Sequence, residues 1–321
     1  MGRYIARRLL WSVFVIVLTT LFAFLIFYVL PSTDPTTAFA GKQPTEELKQ
    51  EVRKNLNLDS SLPVQYGTFV KNLVVGDEYG WPGFGKSFNT RDGIHDELFS
   101  RMVVTLQLAI GALILWLVMG VSIGVISALK RRTWVDRAAM GFALLGISTP
   151  VFFLGLVFLY VFWFKLGITS GTGYTGFREN PGEWFSKLIM PWIVLALLFA
   201  AVYARIVRGS MLEVMSEDYV RTARAKGLTE RAVVTRHMLR SSIAPVVTLA
   251  GIDFAVLISS AVVTESVFNI PGVGAYVLDA VFQNDLPIAM AVTVVTAVFV
   301  TLMGLLVDII YAFLDPRVRY T

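Results

Sequence analysis

The sequence predicts an all-α, polytopic membrane protein. It has six transmembrane helices, both termini cytoplasmic, and a small external segment between helices 1 and 2. Three observations carry this. Of 321 residues, 55% are hydrophobic and only 16% charged, whereas soluble domains carry about 25% charged residues. The apolar residues gather in six long runs: Leu9–Leu30, Met102–Leu129, Ala138–Leu166, Leu188–Val207, Ile243–Val263 and Ile288–Phe313. About 20 helical residues cross a hydrocarbon core of about 30 Å. Lys and Arg also collect on alternate connections, with three before the first run, four in 130–137, eight in 205–240 and two in the tail. The 264–287 connection has none. Basic residues mark the cytoplasmic side.

The first run follows Arg3, Arg7 and Arg8. It is longer than the roughly 7–15 apolar residues of a secretory signal. Ala38-Phe39-Ala40 has the form of a cleavage site, but Pro31 and a polar stretch separate it from the run, which reads as a retained helix. Residues 1–30 are thus an N-terminus and first span, 31–101 an extracytoplasmic cap segment, and 102–321 a five-helix core.

Within 31–101, Thr45 and Glu46 mark the start of a short amphipathic helix ending near Leu58. Tyr66, Phe69, Val70 and Leu73 recur at helical spacing over 62–75. A small helical cap that contacts a soluble partner, or a lid packed on the spans, fits this pattern. The stretch Gly80-Trp81-Pro82-Gly83-Phe84-Gly85-Lys86-Ser87 formally matches a phosphate-binding loop. Such a loop needs a strand before it and a helix directly after it. No apolar strand precedes this one and a poor helix start follows, so it reads as a turn.

In the core, Pro150 should kink the third span. Trp134, Trp163, Trp184 and Trp192 read as interfacial anchors. The absence of cysteine excludes disulfides and thiolate metal sites, and His95 and His237 are far apart in sequence. No metal site and no catalytic constellation is expected.

The cytoplasmic loop 205–242 is the most informative segment. Ser216 is a suitable N-cap for a helix over 217–226, Glu217 and Asp218 suit its positive end, and Gly227 suits its stop. Tyr219, Ala223 and Lys226 share one face by spacing. A second basic segment, Arg231–Arg240, leads into the fifth span. A solvated connector at the lipid headgroups is the plain alternative. A nucleic-acid reader is not expected, because one short helix tied at both ends to spans cannot enter a groove.

Asp253 lies near the middle of the fifth span, where a carboxylate is expensive and marks function by default. It reads as a residue of a translocation path, or as one half of an interhelical pair. Ser259 and Ser260 lie further along the same span. Glu265 precedes Pro271-Gly272-Val273-Gly274, a candidate gate or partner contact. Asp308 should pair with a cytoplasmic Arg.

Several stretches together resemble one family. They are Met1–Leu10, Leu56-Asn57-Leu58-Asp59 with Pro63-Val64-Gln65-Tyr66, Thr105-Leu106-Gln107-Leu108-Ala109, Asp218–Gly227 with Arg236-His237 and Pro245-Val246-Val247-Thr248, Val263–Gly274, and the tail from Leu306 to Tyr320. The sequence resembles the permease subunits of ATP-binding-cassette importers, and more narrowly the first permease of dipeptide, oligopeptide and nickel systems. The general importer motif, E-A-A-x3-G-x9-I-x-L-P, falls on Arg221, Thr222, Ala223, Gly227, His237, Leu239 and Arg240. Its Glu, first Ala, Ile and Pro are replaced, as in the peptide branch.

The resemblance implies a transport subunit of the bacterial inner membrane, not an enzyme. It implies coupling to ATPase subunits through Glu217, Tyr219, Arg221, Thr222, Ala223, Lys226 and Gly227, with ATP and Mg bound by those partners. It implies a second homologous permease, one or two ATPase subunits, and an external peptide-binding protein. The substrate remains open between peptides and nickel chelates or glutathione. A self-contained channel or secondary transporter is the rival from another class, and no inverted repeat supports it.

Overall fold

The computed structural model describes residues 2–29, 45–55, 57–87 and 89–314. Ala38 to Ala40 and the tail arginines Arg317 and Arg319 lie outside them. Among the described residues every regular element is a helix. In chain order these are α1 (Gly2–Phe24, continuing as a π-helical turn over Leu25–Val29), α2 (Glu46–Asn55), α3 (Leu62–Val75) and α4 (Ile94–Leu129). Then come α5 (Trp134–Ser148), α6 (Val151–Phe158, with a π-helical extension Leu159–Lys165) and α7 (Pro181–Val214). The rest are α8 (Asp218–Ala225), α9 (Glu230–Ser242), α10 (Ala244–Ser260), α11 (Val262–Phe268), α12 (Val273–Gln283) and α13 (Leu286–Leu314).

Four helical stretches are by themselves long and apolar enough to cross a bilayer: Tyr4–Val29, Ile94–Leu129, Pro181–Val214 and Leu286–Ile309. Two bent pairs raise the number to as many as six. Trp134–Gly146 and Val151–Lys165 meet at 104°, and Glu230–Ser242 meets Ala244–Ile258 at 52°. The predicted kink at Pro150 is therefore a break. Pro150 supplies no N–H, and Thr149 before it is extended at φ −92°, ψ 126°, the conformation a following proline favours. α5 ends there and α6 starts afresh.

Local chemistry sets several other ends. The Asn180 side chain accepts the Glu183 amide and Pro181 opens the first turn of α7. Asn269 and Asn284 take left-handed conformations, φ 52° and 55°, and stop α11 and α12. α12 was not expected from sequence, where 264–287 reads as a loop. Its eleven residues are too short to span, and its buried residues Val273, Tyr276 and Ala280 form one face.

The core centres on the pair α4 and α7, the most extensive helix contact in the chain. Gly120 and Gly124 make it close. A Cβ on Gly120 would lie 2.6 Å from Cβ of Tyr203, and one on Gly124 2.7 Å from the Ala204 carbonyl oxygen. Trp116, fully buried, stacks on Phe199 at 4.5 Å. At one end of this pair Gln107 accepts from Tyr174 Oη at 3.0 Å and Trp184 Nε1 at 2.7 Å, and its carbonyl accepts from Trp192 Nε1 at 3.1 Å. Trp184 is half-buried and Trp192 is 7% exposed. Trp192 turns inward and is not the outward-facing anchor expected, because Gln107 offers its indole N–H a partner inside, and the half-buried Trp184 shares that residue. Trp134 is exposed and Trp163 partly so.

α2 and α3 form as expected and pack along α1 and α13. The turn after α3 is tied by Asp77, whose carboxylate accepts the Tyr79 and Gly85 amides at 2.8 and 2.6 Å. Lys86 pairs with Glu51 at 2.6 Å, and the Glu51 contact raises the Lys86 pKa. Ser87, 1% exposed, donates to Asp285. The glycine-rich stretch 80–87 thus runs between helix α3 and helix α4, with its lysine and serine both engaged inside the chain.

Replacing Gly120 by valine forces Tyr203 away from α4. Such overpacking costs about 1–3 kcal/mol. Thermal unfolding in detergent should show a lowered midpoint for Gly120→Val and an unchanged one for Gly304→Ala, where a Cβ meets nothing within 4 Å. Equal midpoints would show that the two helices do not depend on this approach.

Candidate functional site

The segment joining α7 to α10 builds a projecting helix on a firm seat. α7 ends at Val214, and Ser216 Oγ donates back to the Glu213 carbonyl at 2.7 Å. Ser216 therefore closes the preceding helix. The N-cap of α8 is Glu217, one residue later than expected, with extended backbone at φ −70°, ψ 144° and no side-chain cap. After α8, Gly227 turns the chain at φ +77°. Arg224 clamps Glu230 through two contacts, 3.1 and 2.7 Å, and Thr229 Oγ1 accepts the Ala232 amide to start α9.

α8 rests on the π-helical middle of α9, Val233–Met238. Val220 and Ala223 are buried in one cluster with Met211, Val233, Val234 and Met238. The seat is thus made by Val220 and Ala223; of the expected face of Tyr219, Ala223 and Lys226, Ala223 alone is buried. Spacing alone could not choose the face, because the partner helix comes from a turn whose geometry is set by Gly227. Glu217, Tyr219, Arg221, Thr222, Lys226 and Gly227 are all exposed, and Tyr219 Oη donates to Ser241 Oγ at 3.0 Å. Nothing lies within 4 Å of a Cβ placed on Gly227. Glycine is needed there for its positive φ, not for close approach within this chain.

Beneath this segment a second group was missed from sequence. Asp136, near the start of α5, receives Arg208 of α7 through two bonds of 2.8 Å. Ser127 Oγ of α4 and the Arg132 amide complete its shell. Asp136 is 5% exposed. The available signal was a single acid set among Lys130, Arg131, Arg132 and Arg137. At the same end Arg8 pairs with Asp308 at 2.8 Å, the partner expected for that acid.

The remaining polar residues divide clearly. Asp253, part-buried in α10, accepts from Tyr203 Oη of α7 at 2.7 Å, so the interhelical pair is present. Ser260 is exposed and bonds its own helix at Leu257; the Ser259 side chain lies outside the described ones. Glu265 is fully buried. It accepts from Thr105 Oγ1 at 2.6 Å and from the Ala275 and Gly274 amides. Thr105 Oγ1 also accepts the Val273 amide at 2.9 Å. The carboxylate therefore caps the N-terminus of α12, where unpaired amides and the helix dipole favour an anion. Gly272 and Gly274 lie against it: a Cβ on Gly272 would overlap the carboxylate, and one on Gly274 would come 2.7 Å from Val262 Cα. At the far end of α12, burial pushes the Asp285 carboxyl up and the Ser87 hydroxyl opposes the shift. Among the described residues no cluster of three or more metal-ligating side chains occurs.

The family model described as binding-protein-dependent transport system inner membrane component matches residues 120–320, and the model of the N-terminal part of such components matches residues 1–109. Over 320 residues, covering 100% of each chain, the sequence is 38% identical to a probable peptide ABC transporter permease, y4tP, of Sinorhizobium fredii. It is 36% identical over the same span to the glutathione transport system permease GsiC of Escherichia coli K12. A putative peptide transport system permease of Brucella abortus, BAB2_1050, is 34% identical, again over 100% of both. Among solved structures, the chain is similar to the MetNI methionine ABC transporter in an inward-facing conformation, with a TM-score of 0.56 and 18% identity over 68% of this chain and 96% of that one. An amino acid ABC transporter with histidines gives 0.51 and 15%, over 68% and 94%. At these identities the structures speak for the fold alone.

Glu265→Gln replaces one acceptor oxygen by a donor among amides that also donate. An unpaired buried donor costs about 1–3 kcal/mol. Hydrogen exchange should speed up over residues 273–283 and stay unchanged in α4 and α7. Unaltered exchange in α12 would show that its N-terminus does not need the carboxylate.

Proposed function

The chain belongs to the family of binding-protein-dependent transport system inner membrane components, and from that premise we propose that it is the permease subunit of an ATP-binding-cassette importer for short peptides. The observation that carries the reading is α8. A short helix stands out from the bundle on Val220 and Ala223 and turns Glu217, Tyr219, Arg221, Thr222 and Lys226 to solvent. In a chain otherwise made for lipid, a firmly seated polar helix calls for an aqueous partner. That partner is an ATPase subunit, which binds ATP and Mg and performs the hydrolysis; this chain is not itself an enzyme. The basic connections favour a cytoplasmic α8 and cytoplasmic termini, with six spans when each bent pair crosses once, in a bacterial inner membrane.

A second, homologous permease completes the path, and an external binding protein delivers the solute. Asp253, Ser259 and Ser260 of α10 are the path candidates. Glu265 acts on any gate from behind, by holding α12. The names of the relatives support peptides, and the glutathione permeases among them favour a tripeptide as one specific case.

The test is uptake of a labelled dipeptide, glutathione, a pentapeptide and a nickel chelate in cells with and without this chain. Loss of one or more peptides is expected. Loss of the nickel chelate alone would replace the substrate, and loss of nothing would remove the importer reading.

A left-handed conformation costs a β-branched residue about 1–2 kcal/mol more than glycine. Gly227→Val should therefore reach the membrane at normal levels yet lose most uptake and ATPase co-purification, while Gly227→Asn keeps both. Full uptake by the valine variant would show that coupling does not need this turn.

A further inference from the structure

The α2–α3 hairpin lies in the groove between α1 and α13, and it reaches far along both. Tyr66 Oη is 3.1 Å from Thr20 Oγ1 and donates to the Val17 carbonyl at 3.3 Å. Higher up, Phe24 contacts Tyr66 and Phe69, and Tyr28 contacts Phe69. Val52 of α2, fully buried, shares a cluster with Phe69, Met290 and Val294, and Leu58 and Val298 pack at its edge. α3 thus ascends beside α1, and the turn joining α2 to α3 is the deepest part of the hairpin.

The depth follows from helix geometry. From Val17 to Val29 is twelve residues, about 18 Å at 1.5 Å per residue. The Arg8–Asp308 pair fixes the opposite ends of α1 and α13 level with each other. Between that pair and Val29 lies about 30 Å, one hydrocarbon thickness. Val17 is near its middle. α13 agrees: Met290, Val294 and Val298 lie one, two and three turns in from Leu286.

The tip at this depth is charged. Arg53 lies 3.8 Å from Asp59, with side chains 50% and 82% exposed, and Lys54 is exposed on the side of α2 away from Val52. Charged groups at the bilayer centre do not face hydrocarbon; they face a bundle interior or water. Irregular backbone at that depth obeys the same rule.

We propose that the α2–α3 hairpin is re-entrant, and that Arg53, Lys54 and Asp59 at its tip line the water-filled path and meet a dipolar solute there. Groups of both signs suit a solute carrying an ammonium and a carboxylate. That solute class rests on the importer reading; the depth and wetness of the tip do not.

The chain has no cysteine, so a nitroxide can be placed at Asp59→Cys or, as a second site, Lys54→Cys. The labelled chain is assembled in nanodiscs with partner subunits lacking reactive cysteines. The expected result is a depth between those of labels at Phe14 and Phe22 of α1, with a ratio of nickel-chelate to oxygen accessibility several-fold above that of a label at Leu10. A tip shallower than Phe22 overturns the re-entrant hairpin. Oxygen dominance, which means lipid, or shielding from both reagents, which means cover by another chain, overturns the path. A wet tip at depth, in a chain whose deletion leaves uptake of every tested solute intact, upholds the hairpin while the importer reading falls.

Discussion

The close approach of α4 and α7 is the constraint on which the rest of the structure depends. Between helices in lipid there is little hydrophobic gain, so association relies on tight packing and internal polar contacts. Gly120 and Gly124 supply the first by admitting Tyr203 and Ala204. Gln107 supplies the second by engaging Tyr174, Trp184 and the Trp192 indole. α5 and α6 then lean on α7, and α10 packs across both members of the pair. Removing the central pair would leave these helices without a common surface.

Buried charges act at the ends of the helices, where they fix geometry more than they add stability. Asp136 joins α5 to α7 and collects donors from α4 as well. Glu265 joins α11 to α12 and α4. Ser87 and Asp285 tie the loop before α4 to the start of α13. Each key connects segments distant in sequence, and each carboxylate has donors from backbone or hydroxyl groups around it. The pair Asp253–Tyr203 differs: it joins α10 to α7 within the helices' lengths and not at their ends, and among the described residues its hydrogen bond comes from a tyrosine hydroxyl.

How far the sequence could be read follows from this division. Long apolar runs are local signals, so the positions of α1, α4, α7 and α13 were legible, as were α2, α3 and the stop at Gly227. Besides the pairing of Arg208 with Asp136, three features were not, for one reason: they depend on contacts between distant residues. The face on which α8 rests is chosen by Val233–Met238. Trp192 turns inward because Gln107 waits for it. α12 escapes notice because its eleven residues are too few to read as a span, and the groups that satisfy its first amides, Glu265 and Thr105, come from elsewhere in the chain. The general importer motif was recognisable on Ala223 and Gly227, but what each contributes, a buried seat in one case and a positive φ in the other, required coordinates.

Under the importer reading, a push on α8 has two routes into the bundle. Backwards, α8 meets α7 through Met215, Ser216 and Glu217 and through the cluster of Val220 and Ala223 with Met211, and α7 is clamped nearby by Arg208 on Asp136. α7, α4 and α5 therefore resist as one body. Forwards, α8 is bonded to α9 along Val220 and Ala223 and by Arg224 on Glu230. α9 runs into α10 at a 52° bend, and α10 carries Asp253 and leads to α11 and the capped start of α12. α10 packs on α4, α7 and α13, and its side-chain hydrogen bond to α7 is the one from Tyr203 to Asp253. Under the importer reading, the side of the molecule that carries α8 through α9 and the side clamped by Asp136 are joined at that hydrogen bond, so the candidate path residue is also the residue that links them.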